Sequence, residues 1–230
     1  MEPQKTSVHQ FLDDQLNKWS TRAALPLVPV ITVSMEPGSK GSLVAAEIAQ
    51  RLQYDLFNRD IIKEIAQSAQ MSTRIIDSVE KERLSGIEDF ISSLVKEHYL
   101  HPDLYLEHLM KVINTIAKHG RAVIVGRGAN FILPPESRFS IRVVAPLECR
   151  VRNVAELFDT DIEEAKRRVM RRQARRMAFI RQAFHQDIAD PLNYDLVLNT
   201  ERLNTATAAD SAVAAVKSFS DSIASDGKTE

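Results

Sequence analysis

The sequence predicts an α/β fold in which a mostly parallel, five-stranded sheet carries helices on both faces. Three observations lead there. Five short apolar runs, at residues 28–33, 54–57, 121–125, 139–144 and 196–198, alternate with stretches of helical periodicity, the pattern of successive βαβ units. The first run passes directly through the small-residue turn Ser34-Met35-Glu36-Pro37-Gly38-Ser39-Lys40-Gly41-Ser42 into a helix with Val44, Ile48 and Leu52 on one face. In such sheets ligands bind outside the carboxyl ends of the strands, and this turn, Arg59-Asp60 and Gly126-Arg127-Gly128 all follow strands.

Composition narrows the class. A chain of 230 residues, 44% apolar and 27% charged, suits one domain of moderate size with a small appendage. A formal net charge of −1 provides no general attraction to nucleic acid or anionic membrane. Cys149 is the single cysteine, so an internal disulfide and a thiolate metal cluster are excluded, and a small half-buried thiol is expected. The start, Met1-Glu2-Pro3-Gln4-Lys5, lacks the basic flank and apolar core of a signal peptide, and no apolar run reaches the ~18–20 residues that span a bilayer. A cytoplasmic protein without membrane partners is expected.

Taken in order, residues 1–28 form an extension. Val8, Phe11, Leu12, Leu16 and Trp19 recur at helical spacing, with Asp13, Asp14, Asn17 and Lys18 opposite. This amphipathic helix lies on the body of its own chain or on a partner subunit, the latter giving a homodimer through residues 8–19. Pro26 and Pro29 punctuate the entry to the first strand. After residues 54–57, Asn58-Arg59-Asp60 leads into a helix with Ile61, Ile65 and Ala69 inward. Residues 72–119 read as mainly helical, with Ser72 as an N-cap and the stripe Leu109, Val112, Ile113, Ile116 ending at Gly120. The last strand is followed by Asn199-Thr200 and a closing helix with Ala209, Val213, Val216 and Phe219 inward. From residue 220 onward the chain is polar and is expected to fray.

The turn at 34–42 has the parts of a phosphate cradle: backbone N–H groups at a helix N-terminus, Lys40 to reach outer phosphates, and the Ser42 hydroxyl for a magnesium shell. It is a degenerate form of G-x-x-x-x-G-K-[ST], with Ser34 and Ser39 at the glycines and Gly41 between Lys40 and Ser42. Glu36 either orients a magnesium-bound water or caps the turn. The other dense feature is Lys166, Arg167, Arg168, Arg171, Arg172, Arg175, Arg176 and Arg181, with no acid between Glu164 and Asp187. On a helix Arg168, Arg172 and Arg176 share a row and repel one another, so either phosphates, acids elsewhere in the fold or nucleic acid compensate them, or the run is a solvated face. Nucleic acid is the weakest of these, since only Phe179 and Phe184 could stack with bases. His98 and His101, near Glu97 and His108, hint at a metal, but nothing completes a ligand set.

The runs Ile31-Thr32-Val33-Ser34-Met35-Glu36-Pro37-Gly38-Ser39, Phe57-Asn58-Arg59-Asp60, Val125-Gly126-Arg127-Gly128 and Asn193-Tyr194-Asp195-Leu196-Val197-Leu198-Asn199-Thr200 resemble the cytidylate-kinase-like proteins, within the P-loop nucleoside-monophosphate kinases. The resemblance covers about residues 29–220. It implies a three-layer P-loop core with a helical monophosphate-binding insertion at about 58–119 and an arginine-rich helical lid at about 160–190; the polar tail at 221–230 lies outside it. By resemblance ATP sits on Gly38, Ser39, Lys40, Gly41 and Ser42, with Mg²⁺ at Ser42. Arg59, Asp60 and Arg127 bind the acceptor, Lys40 is in register with the phosphate-binding lysine, and Arg172 and Arg176 close over the transferred group. The cytidylate kinases proper carry acids at the positions of Val125, Gly128 and Gln173, so the groups that read the nucleoside differ here.

Three functions are therefore expected in descending order. The first is ATP-dependent phosphorylation of a nucleoside monophosphate, cytidylate by default. The second is a nucleotide-binding regulatory module with little turnover. The third is a nucleic-acid-binding protein acting through residues 166–181.

Overall fold

The structure, a computed structural model, describes residues 7–21, 29–79, 81–97 and 103–226. Its centre is a five-stranded, all-parallel sheet in the order β2-β3-β1-β4-β5. The strands are β1 (Val30–Met35), β2 (Asp55–Phe57), β3 (Ala122–Val125), β4 (Arg138–Val144) and β5 (Leu196–Asn199). Central β1 is buried almost throughout, as a strand covered on both faces must be.

The two faces differ. Ile31 and Val33 of β1 pack with Ile141 and Val143 of β4 against Val44, Ala45 and Ile48 of α2 (Gly41–Leu52). Ala208, Ala209, Ala212 and Val216 of α10 (Thr205–Asp226) close the same layer. On the opposite face, Val30, Phe57 and Ile124 meet the helices between β2 and β3. These are α3 (Arg59–Gln67), α4 (Ala69–Ile76), α5 (Lys81–Glu97) and α6 (Leu104–His119). The remaining helices are α7 (Ala129–Ile132), α8 (Leu147–Phe158) and the 23-residue α9 (Ile162–Phe184).

Several expectations hold and several shift. The stripe Leu109, Val112, Ile113 and Ile116 is buried, and Gly120 ends α6 at φ 67°. The N-cap of α4 is Ser68, which also ends α3 and accepts from the Met71 N–H; Ser72 lies inside the helix and bonds back to the Ala69 carbonyl. That break resets the helical phase, so Ile62, Ile65 and Ala66 face inward, while Ile61 is half-buried and Ala69 exposed. The closing helix runs on to Asp226, its serines at 220 and 222 bonding back to the Val216 and Phe219 carbonyls. His98 and His101 lie outside the described residues, and no metal-holding group of acids, histidines or cysteines occurs among the described ones. Among those residues no helix is long and apolar enough to cross a membrane.

The N-terminal helix α1 (Val8–Thr21) uses its apolar face within the chain. Leu12 is fully buried, and Trp19 stacks on the His119 ring, centroids 4.0 Å apart, beside Phe57. Lys18 pairs with Asp55 at 2.6 Å, and Asp13 with Arg74. Of the two placements expected for this helix, the structure has the one on the chain's own body. Trp19→Ala should cost about 3 kcal/mol of stability, the scale for a buried indole, without changing the mass in solution; light scattering with thermal melting checks both, and a fall in mass would return α1 to a subunit interface.

Candidate functional site

The site opens at the carboxyl edge of the sheet. After β1 the chain leaves toward β2, and after β4 it leaves toward β5. The connections therefore diverge between β1 and β4, the place where open α/β sheets bind ligands.

The turn after β1 is closed by its own bonds. Ser39 N–H and Oγ both donate to the Glu36 carbonyl, and the Thr200 hydroxyl donates to the Ser39 carbonyl at 2.8 Å. Asn153 of α8 donates to the Gly38 carbonyl at 2.8 Å. Gly38 has φ 84°, and a Cβ there would stand 2.4 Å from the Arg150 carbonyl oxygen; only glycine allows α8 to come so close. The Glu36 carboxylate accepts from Ala145 N–H and lies 3.3 Å from Arg150. Between the two roles expected for Glu36, this is the one that fixes the turn. Ser39 is fully buried, so it shapes the cradle rather than presenting its hydroxyl.

The start of α2 bears on how the motif is read. Lys40 takes φ 55° as the N-cap of α2, and Gly41 is the first helical residue. Counted back from Ser42, the eight-residue frame runs from Met35, with Lys40 at the second glycine and Gly41 at the lysine. A side chain at 41 has no room, since a Cβ would lie 2.6 Å from the Met35 Cβ. Lys40, expected in register with the motif lysine, thus stands as the residue that caps α2 from just outside it. Its side chain is exposed at the mouth of the turn, as is Ser42 one step into the helix.

From α9, Arg176 reaches the inner end of the turn, its Nη1 donating to the Met35 carbonyl at 2.5 Å. Burial first, then Arg59, Arg142, Arg172 and Arg127, pull its pKa down to about 10. Arg127, from the loop after β3, is held by its Nε bond to the Arg59 carbonyl at 3.2 Å. Desolvation lowers its pKa as well. Arg59 opens α3, positioned by Asn58, whose side chain accepts from the Asp60 and Ile61 N–H groups. Asp60 lies 3.3 Å from Arg59. Tyr105 of α6 has a buried hydroxyl without a partner among the described residues, and burial raises its pKa while Arg127 opposes that rise.

The basic row of α9 does not act as one unit. Arg167 and Arg168 pair with Glu164 at 3.0 and 2.8 Å, which holds the Glu164 carboxyl below its usual range. The guanidinium groups of Arg168 and Arg172 lie over the Phe158 ring. Arg172 and Arg176, paired in the sequence reading, thus have different surroundings: Arg172 rests on α8, while Arg176 enters the cleft.

The three acid positions also have structural reasons. Val125 faces the apolar layer beneath α2. At Gly128, φ 70°, a Cβ would stand 2.4 Å from Phe184 Cε2, so an acid there is incompatible with the packing of α9. Gln173 accepts from Arg150 at 2.9 Å, linking α9 to the residue that holds Glu36.

Sequence reasoning missed Arg142, Arg150 and Tyr194. Arg142 and Arg150 are almost fully buried. The Tyr194 hydroxyl donates to the Ile188 carbonyl and lies 3.3 Å from the Ser34 hydroxyl. A charged residue inside a strand of a doubly covered sheet was the available signal for Arg142.

The sequence profile of the cytidylate kinase-like family matches residues 30–202. The chain is 29% identical over 183 residues to a cytidylate kinase of Methanopyrus kandleri, spanning 75% of this chain and 85% of that protein. It is 27% identical over 191 residues to a cytidylate kinase of Halorubrum lacusprofundi, spanning 83% and 90%. Among solved structures, an uncharacterized protein from Eubacterium ventriosum superposes with a TM-score of 0.62 at 19% identity, covering 83% of this chain and 99% of that one. That superposition speaks to the fold alone. The family match extends over most of the chain and includes the turn, the Arg127 loop and β5: the chain belongs to the cytidylate kinase-like family.

Proposed function

We propose that this chain transfers the γ-phosphoryl group of ATP to the phosphate of a nucleoside monophosphate, cytidylate being the first acceptor to test. The observation that carries this reading is the meeting of Arg59, Arg127 and Arg176 around the carboxyl ends of β1 and β3, next to a strand–turn–helix. Cations set against charge spread over phosphoryl oxygens, with reactants held in line, are the main resource of this chemistry.

In this reading the donor phosphates lie on the N-terminus of α2, with Gly38, Ser39 and Gly41 shaping the turn. Its base lies along the shallow groove lined by Lys40, Leu43, Leu203 and Thr205. Lys40 reaches the donor from the mouth, and Arg176 meets the transferring group from inside. The segment 58–119 receives the acceptor, with Arg59 and Arg127 on its phosphate and Asp60 beside them, and residues 160–190 form the lid that carries Arg172. An acceptor phosphate oxygen attacks the γ-phosphorus, the bond to the bridging oxygen breaks, and ADP leaves with that electron pair. No general base is required, because the nucleophile is already an anion.

Magnesium fits this donor set only if the phosphates bring it. Ser42 offers one hydroxyl and the Glu36 carboxylate is already engaged, which suits an ion that keeps several waters and takes few protein ligands. When bound, it would neutralise charge on the donor phosphates.

The alternative is a regulatory module that binds nucleotide without turnover. It is favoured by Phe184 standing against Gly128 and by Gln173 being tied to Arg150. The nucleic-acid reading loses ground, because Arg167, Arg168 and Arg172 are engaged by Glu164 and Phe158.

A coupled ADP-release assay over a panel of monophosphates tests the proposal. At least one acceptor should raise ADP formation, and Arg127→Ala should raise that acceptor's KM about tenfold or more, the scale of a lost charge-assisted hydrogen bond, with little change in the KM for ATP. If no acceptor works but ATP with Mg²⁺ still raises Tm, the regulatory module is the correct reading.

A further inference from the structure

Arg142 is a buried guanidinium that the proposed chemistry has not used. It sits near the carboxyl end of β4, in register with Ser34 of β1, on the two strands between which the chain connections diverge. Only 7% of the residue is exposed. Its partners are neutral: Nη1 donates to the Ser34 hydroxyl at 2.7 Å, and the guanidinium lies 5.7 Å from the Tyr194 ring centroid. Among the described residues it has no carboxylate at salt-bridge distance. Its neighbour Arg138, on the same strand, is near both Asp195 and Glu136.

Burying a cation is expensive unless it is paired. Here the cost is compounded, because Arg176 reaches the next residue of β1, Met35. Two guanidinium groups from different elements therefore converge on Ser34 and Met35, the last residues before the turn. Arg127 and Arg59 stand on the other side of β1, following β3 and β2. Apolar packing would have served stability better at position 142. Cationic crowding of this kind is offset when an anion enters.

We propose that Arg142 is a ligand for the acceptor's phosphate, completing with Arg59, Arg127 and Arg176 a pocket for a fully ionised phosphomonoester. The proposal rests on the phosphoryl-transfer reading for the identity of the anion, but the residue's role can be measured without turnover. Ser34 and Tyr194 hold the planar fork through one N–H and the ring face, which leaves its other N–H donors for a ligand. Neutral anchors leave the positive charge available, where a carboxylate would have quenched it. A pocket with that much charge selects the dianion over neutral nucleosides.

The test is isothermal titration of the full chain with inorganic phosphate, with cytidine monophosphate and with a non-hydrolysable ATP analogue, for wild type, Arg142→Met and Arg142→Lys. The expected result is that Arg142→Met weakens phosphate and cytidine monophosphate about tenfold or more, the scale of losing one hydrogen bond to a charged group. Affinity for the ATP analogue stays within about twofold, and the unliganded Tm is equal to or above that of wild type. Arg142→Lys should fall between, since it keeps the charge and loses the fork. A folded Met variant that binds phosphate like wild type overturns the proposal. So does an equal loss of the ATP analogue, which would make Arg142 a positioning residue for the turn, and so does a wild type that binds no phosphate. If the Met variant does not fold, the Lys variant decides by the same criterion. Arg142-dependent phosphate binding without turnover on any monophosphate supports this site and overturns the kinase reading instead.

Discussion

Replacing Arg176 with alanine is expected to lower kcat and kcat/KM together by on the order of 10²–10³-fold, the loss seen when one well-placed electrostatic contact leaves a water-excluded site. The basis is its position: it already touches the Met35 carbonyl at the head of the turn and stands among Arg59, Arg127 and Arg142. A cation held there without a ligand has paid its desolvation before the reaction begins, so its full strength is available as charge moves from donor to acceptor. Lysine should rescue only in part, because it cannot grip two phosphoryl oxygens with a planar fork. Arg172→Ala should cost less, since Arg172 rests on Phe158. Arg167→Ala should be nearly silent, its side chain being exposed and paired with Glu164. Steady-state kinetics of the four variants separates a directed clamp from a general basic patch; equal losses throughout would mean the patch.

Gly38→Val should be the most damaging change in the cradle, costing up to about 5 kcal/mol. A β-branched residue at φ 84° is strained by roughly 1–2 kcal/mol, and overpacking adds about 1–3 more. The Cβ would also lie 2.4 Å from the Arg150 carbonyl. Relief requires the turn to leave α8, which breaks the Asn153 bond to the Gly38 carbonyl and loosens Arg150 from Glu36. Arg150 also reaches Gln173, so α9 loses a tie as well. For a domain of this size the melting temperature should fall by about 10–20 °C. Nucleotide should no longer raise it. Calorimetry with and without ATP and Mg²⁺ reads both effects, and a variant that melts like wild type would show that α8 tolerates a displaced turn.

Most of the fold was legible because its signals are local. The apolar runs of β1, β3 and β4 are bounded by glycine and proline, and the stripe on α6 repeats at helical spacing. Boundaries slipped where one residue serves two elements, as Ser68 does between α3 and α4. The site was legible in part. Arg59, Arg127 and Arg176 announced themselves by following strands or by standing in a charged run, and the structure brings them together. What could not be read was conformation and long-range pairing. The left-handed backbone of Lys40 and the lack of room for a side chain at Gly41 are properties of the folded turn that spacing does not give. Arg142 meets Ser34 across 108 positions, and Phe184 closes on Gly128 across 56. Such partners exist only once the sheet has assembled.

Transfer itself is read by following label from γ-³²P-ATP in a single turnover. Enzyme in excess over ATP is mixed with Mg²⁺ and the best acceptor of the panel, and the products are separated. The account predicts label in a nucleoside diphosphate, formed at a rate that Arg176→Ala lowers on the order of 10²–10³-fold. Label appearing only as inorganic phosphate, or remaining in ATP with every monophosphate tried, would contradict it.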